Sequence, residues 1–211
     1  MNSWDRPPAG IDIAEFFQTW LPSAFRATDR HAPADAPIVR ATLSGEGGGA
    51  WDMQADDDEL VVEPVPRGGT RGAPQKPPGL WLRQPAADFR AAFDGSPDLP
   101  PLLPPGWSAL DLLFLDPRDI ELMRQVDGRV LVELAGKRAR RWSLDVAFGK
   151  TGVAAGRPRT TVRLDGATYE GLQAGKIPPV QALLDGRLSI EGDRGLAMQL
   201  LLLLGSRLGR R

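Results

Sequence analysis

The chain has 211 residues, 42% of them hydrophobic and 25% charged, enough for one large domain or two small ones with a real core. A net charge of -1 lacks the basic excess of nucleic-acid binders, so no nucleic-acid partner is expected. Zero Cys rules out disulfides and thiolate metal sites, and the single His31 leaves no basis for a His-built metal cluster or triad, so no cofactor is expected.

In chain order, "IDIAEFFQTWLPSAFRA" sets Ile13, Phe16, Phe17, Trp20 and Leu21 at helical spacing. Asp12 is placed to cap that helix, and Pro22 to end or bend it. After the polar loop "TDRHAPADAP", the stretches "IVRATLSG", "AWDMQAD" and "ELVVEPV" read as three short antiparallel strands. "SGEGGGAWD" lacks the Lys and Ser/Thr of a phosphate loop and reads as a hairpin connection; "DDDE", Asp56 to Glu59, lacks calcium-loop spacing and reads as a solvated turn. "PRGGTRGAPQKPPG" is a linker, "GLWLRQ" a strand and "PAADFRAAFDG" a short helix. "SPDLPPLLPPGW" is too proline-rich for regular structure. "SALDLLFLD" reads as a strand and "PRDIELMRQV" as a helix opened by Asp116 and Pro117.

The second half repeats the order. "GRVLVELAG", "RRWSLDVAFG" and "KTGVAAG" stand for the first three strands, "RTTVRLDG" for the fourth and "ATYEGLQAG" for its helix. "KIPPVQALLDG" is a turn and helix, "RLSIEG" a strand and "DRGLAMQLLLLLGSR" a final helix. Trp51 answers Trp142, Phe89 falls on Tyr169 and Gly95 on Gly175. Two readings stand: a diverged duplication, or two units that look alike only at this coarse level.

The final helix is apolar nearly all round, with Asp193 suited to its N-cap and Arg207, Arg210 and Arg211 to the other end of its dipole. A sheet covers one side of such a helix, so the surplus leucines need core packing, another chain, a second lobe or a lipid. The basic run "GKRARR" reads as a wet hairpin, or as a contact for anionic headgroups. Trp20, Trp51, Trp81 and Trp142 read as core anchors, and Trp107 as one at a rim or partner surface. Asp88, Asp94, Asp111 and Asp119 form no visible catalytic pair, and no nucleophile has an evident base.

The segment "GATYEGLQAGKIPPVQALLDGRLSIEGDRGLAMQL" resembles the sterol carrier protein type-2 family. The matching features are Gly175 and Lys176, Val180 to Leu184, Arg187 to Glu191 and Gly195 to Met198; "EFFQTWLPSAF" is similar to that family's first helix. The resemblance implies an α+β fold of mostly antiparallel sheets covered by helices, here in two tandem lobes. Residues 1–37 would be a leading helix and loop, 38–126 a degenerate lobe and 127–211 the better preserved one. It implies a non-enzymatic carrier for a fatty acyl chain, sterol or isoprenoid-like ligand. The tunnel would be lined by Leu172, Leu183, Leu184, Ile190, Ala197, Met198, Leu201 and Leu202. Transient membrane-surface contact and a protein partner or homodimer are further expectations. The alternative is an interaction module with a vestigial cavity. The opening "MNSWDRPPAG" lacks a secretory pattern, the longest apolar run is far below the roughly 20 residues of a membrane span, and "GRR" is no peroxisomal address, so a cytoplasmic protein is expected.

Overall fold

The computed structural model describes residues 6–28, 31–33, 35–66, 77–95, 98–103, 108–113, 125–149 and 156–199. Helix α1 (13–26) opens where the Asp12 carboxylate accepts the N–H groups of Ala14 (2.8 Å) and Glu15 (3.3 Å), the expected cap. Pro22 does not end the helix, which continues to Arg26. The preceding residues Phe16–Trp20 form a π turn, in which the Leu21 N–H reaches the Phe16 carbonyl. The wider turn loosens the crowding between a proline ring and the carbonyl four residues back.

Strands β1 (Val39–Ser44), β2 (Ala50–Asp56) and β3 (Glu59–Pro64) form the expected antiparallel meander. β4 (Leu80–Pro85) lies parallel to β1 and leads into α2 (Ala86–Asp94). β5 (Gly128–Ala135) and β6 (Arg141–Phe148) make an antiparallel hairpin. β7 (Thr160–Asp165) lies parallel to β5 and leads into α4 (Gly166–Gln173). After α5 (Pro179–Leu184), β8 (Leu188–Gly192) pairs with β7, and a last helical stretch, α6, is described over 194–199. The eight strands share one sheet, in the order β3-β2-β1-β4-β6-β5-β7-β8, with β4 and β6 joining the halves.

One expected strand is a helix. Residues Ala109–Leu113 of "SALDLLFLD" form α3, because the Ser108 N–H (2.8 Å) and hydroxyl (3.2 Å) both donate to the Asp111 carboxylate. That is half of a capping box, a helix-start signal written in the spacing Ser-x-x-Asp. Trp107, the helix expected over 117–126 up to residue 124, and the strand expected at 150–155 lie outside the described residues.

Alternation sorts each strand into an apolar face under the helices and a polar face. The polar face carries paired charges: Arg40 with Asp52 (2.6 Å), Arg129 with Asp145, and Arg163 between Glu133 (2.6 Å) and Glu191 (2.5 Å). Arg83 lies 3.6 Å above the Trp81 ring on the same face. Trp81 is therefore no interior anchor.

The proline-rich segment is tied to the second half. Asp98 accepts the Lys137 N–H (2.7 Å), and the Leu102 carbonyl accepts the Tyr169 hydroxyl (2.6 Å) and the Gln173 amide (3.4 Å). Burial drives the Tyr169 pKa well above the ordinary tyrosine value. Its neutral form is favoured only in the folded chain, so the stabilisation is full below pH ~10 and lost as pH rises further. Tyr169 is the chain's single tyrosine, so tyrosinate absorbance reads it alone. We expect ionisation to coincide with alkaline unfolding, and Tyr169→Phe to flatten that alkaline loss.

Candidate functional site

Burial along the helix-covered face of the sheet is uneven. In the first half Val39, Ala41 and Leu43 of β1, Trp51, Met53 and Ala55 of β2, Leu60 and Leu80 are all buried. Phe17, wholly buried, stacks on Trp51 (4.4 Å between ring centres) and on Phe89 (5.4 Å), and Phe93 closes on Phe89 (4.7 Å). The pocket left between α1 and α2, lined by Ile11, Ile13, Phe16, Phe89 and Phe93, holds about 10 Å³. That is space for one water at most.

On the same face of the second half Val130, Leu134, Phe148, Val162 and Leu188 are buried. Val132 of β5, Leu144 and Val146 of β6, Leu164 of β7 and Ile190 of β8 are only half-buried, although each points to the apolar side. Registers explain the difference. Val39 pairs with Leu80, and Val130 with Thr160, in the two parallel ladders, so Val39 corresponds to Val130 and Ala41 to Val132. Ala41 faces Trp51, whereas Val132 faces Leu144. The Trp51 position is thus taken by Leu144, not by Trp142, which sits one row further along opposite Leu134. Counted from the same two ladders, Phe89 falls at the position of Tyr169 and Phe93 at that of Gln173. Where the first half stacks rings, the second places a leucine and two polar-tipped side chains that turn to Leu102.

Walls rise from α4, α5 and α6. Asp165 caps α4 by accepting the Thr168 N–H (2.7 Å), the main cause holding its carboxyl below the usual carboxylate range. Ile177 folds back against Gly171, where a Cβ would come within 2.4 Å of it, and so fixes the turn into α5. Asp193 caps α6 through the Leu196 N–H (3.1 Å), as its sequence position suggests. Its carbonyl accepts the buried Thr160 hydroxyl (2.8 Å), anchoring the start of α6 to β7. Gly192 precedes it at φ 96°, where a Cβ would lie 2.1 Å from the Arg159 carbonyl oxygen. Leu196 then packs onto Gly128.

Of the residues singled out from sequence, Leu172, Leu183 and Ile190 are half-buried and pack on the same core, and Met198 is half-buried. Ala197 is wholly buried, and Leu184 stands outward at 76% exposure. Leu201 and Leu202 lie outside the described residues. The floor residues Val132, Leu144 and Val146 were not singled out. Their strand alternation was visible, but not their partial exposure. Among the carboxylates of this half, Asp165 and Asp193 cap helices. Among the described residues no group of three or more His, Asp or Glu could hold a metal ion. His31 meets Asp57 (3.0 Å) on an exposed loop.

Residues 110–204 match the family model for the SCP-2 sterol transfer family. The match covers 95 of the 211 residues. The matched stretch includes α4, the Gly-Lys turn, α5, β8 and α6. Hydroxysteroid dehydrogenase-like protein 2 of Xenopus tropicalis is 34% identical over 89 residues, 40% of this chain and 21% of the relative; that of Danio rerio is 30% identical over 84 residues, 38% and 20%. The match thus spans about a fifth of those relatives' length. Among solved structures, sterol carrier protein 2 of Yarrowia lipolytica is similar at 17% identity and a TM-score of 0.35, over 44% of this chain and 79% of that one. The sterol carrier protein domain 2 of Helicoverpa armigera is similar at 22% and 0.33, over 43% and 75%. No helix among the described residues is long and apolar enough to cross a membrane.

Proposed function

We propose that the second half is a non-enzymatic, cytoplasmic lipid carrier that holds a fatty acyl chain, a sterol or an isoprenoid-like molecule in the groove beneath α4, α5 and α6. The observation that carries this reading is the exchange of Trp51 for Leu144 at equivalent places in the two halves. The first half fills that space with its own rings, and the second leaves it to a ligand. Val132, Leu144 and Val146 form the floor, Leu172, Leu183, Ile190 and Met198 the walls. Ala197 backs Met198, and Leu201 and Leu202, next along the chain, are assigned to the same wall. Each buried methylene contributes about 0.8 kcal/mol, so a twelve-carbon chain gains about 10 kcal/mol before the cost of association. Met198 is unbranched and adapts to ligands of differing shape. The name of the relatives puts steroids first among ligands to test. The first half, on this reading, is a tandem unit of the same plan that has become solid.

Native mass spectrometry after exposure to a lipid extract tests the reading, with Val132→Trp as the control. Filling the groove is expected to lower affinity for a fluorescent fatty acid about tenfold or more while the unfolding midpoint holds. If the face is packed solid, the added ring costs about 1–3 kcal/mol of stability instead, and wild-type protein comes through the extract without lipid. A second reading, an interaction module burying a partner chain or a second copy, draws on the outward Val180 and Leu184. Light scattering separates the two: a monomer that binds fatty acid is a carrier, and an obligate dimer indifferent to it is a module.

A further inference from the structure

We propose that Leu99 and Leu102, carried on the proline-rich strap over residues 98–103, form the end wall of the lipid site and set the longest acyl chain it accepts. The inference rests on the carrier reading and adds a determinant of ligand length to it.

The strap reads "DLPPLL", and its two prolines remove N–H donors and bar it from a strand ladder. It is seated by its carbonyls instead. Asp98 accepts the Lys137 N–H (2.7 Å) at one end, and Leu102 accepts the Tyr169 hydroxyl (2.6 Å) at the other. Gly136 admits the strap at the end of β5, since a Cβ there would meet both the Asp98 carbonyl oxygen and the Leu99 side chain. Residues three apart share a face of an extended proline-rich chain. Leu99 and Leu102 are accordingly both buried, while Pro101 between them is exposed.

The two leucines form one buried cluster with Leu134 of β5 and Ala92 of α2, and Trp142, Leu164 and Tyr169 pack around it. In the ladders Trp142, Leu134 and Leu164 lie side by side in one row across β6, β5 and β7. Leu144, Val132 and Val162 form the next row, which Ile190 continues on β8. Two residues along a strand, about 7 Å, separate the rows. The strap therefore lies across the row directly beyond the half-buried Val132 and Leu144, on the face that the carrier reading assigns to the ligand. An acyl chain running along those strands meets Leu99 and Leu102 at that end. The strap precedes residues 110–204, so this wall comes from outside the stretch that matches the family model.

The test measures the affinity of the full chain for saturated fatty acids of about eight to about eighteen carbons, each buried methylene being worth about fourfold in affinity. For wild-type protein the gain per carbon should stop at a definite length. Leu99→Ala with Leu102→Ala should raise that length by about two carbons or more and tighten the longest acid about tenfold or more. Because the paired truncation also opens a buried cluster, the same alanines are measured with the strap fixed by Pro100→Cys and Gly166→Cys. A Cβ at Gly166 would stand 3.3 Å from the Pro100 ring, near the span of a disulfide, and the chain has no other cysteine. The disulfide alone should leave the wild-type length limit in place, and the alanines should raise the limit in both backgrounds. A folded alanine variant, in either background, with the wild-type limit overturns the proposal and leaves the carrier reading intact. A disulfide that blocks uptake until it is reduced also overturns it, since a strap that must move does not set a fixed length. Wild-type and variant chains that bind no acid of any length remove the carrier reading, and the wall with it.

Discussion

Phe17→Ala is expected to destabilise the chain by about 3–5 kcal/mol, toward the upper end of that range. The ring is wholly buried, with Trp51 stacked at 4.4 Å, Phe89 at 5.4 Å and the edge of Phe16 at 5.0 Å. Truncation loses the transfer free energy of the ring and leaves a void that rigid aromatic neighbours refill poorly. Paired aromatics add about 0.5–1.5 kcal/mol beyond their area, which argues for the high figure. A domain is stable by only about 5–15 kcal/mol, so urea unfolding should show a large shift of midpoint. Phe17→Leu should recover most of it. Fatty-acid affinity should be unchanged under conditions where the variant is folded, because these rings fill the half that has no groove. A loss of ligand affinity in folded Phe17→Ala would mean that the aromatic cluster, not the open face, is the binding region.

Asp88→Ala is expected to cost about 3 kcal/mol. The side chain is 2% exposed and accepts the Ser143 N–H (2.9 Å), the Ser143 hydroxyl (3.1 Å) and the Arg140 guanidinium. Alanine leaves the Ser143 donors without their acceptor, while Arg140, about a third exposed, turns to water; that relief keeps the cost below the worst cases. Asp88→Asn keeps the shape but points an N–H₂ at a group that itself donates, so it should recover less than half of the loss. An Asn variant as stable as wild type would show that shape, not charge, matters at this position. Asp88 lies on α2 of the first half and Ser143 on β6 of the second, and the Asp88 carbonyl also accepts the Trp142 indole N–H (3.0 Å). The pair is therefore a fastener between halves, and its loss should make unfolding less cooperative as seen by tryptophan fluorescence and circular dichroism together.

Local signals in the chain foretold local structure well. Asp12 and Asp193 are caps because a carboxylate beside the first free N–H groups of a helix has few better partners. The strand pairs on either side of "SGEGGGAWD" and "GKRARR" follow from alternation interrupted by glycine or charge. The misreading of "SALDLLFLD" came from weighing its apolar residues above the Ser108–Asp111 spacing. The polar face of Trp81 was also hidden, since a tryptophan sandwiched by arginine looks in sequence like one in a core.

The candidate site divides differently. The order of elements, the family resemblance over the closing segment and the apolar character of α4, α5 and β8 were all written in the residues themselves, because periodicity and caps act within a few positions. Which residues of the apolar face are buried and which only half-buried was decided only in three dimensions. Packing density depends on what stands across the gap, and Trp51 meets Phe17 from a helix 34 residues earlier in the chain. Sequence likewise placed Leu184 in a wall, and the folding of α5 by its Ala182 side turned it outward. The helix was legible; the direction it faces came from the sheet beneath it.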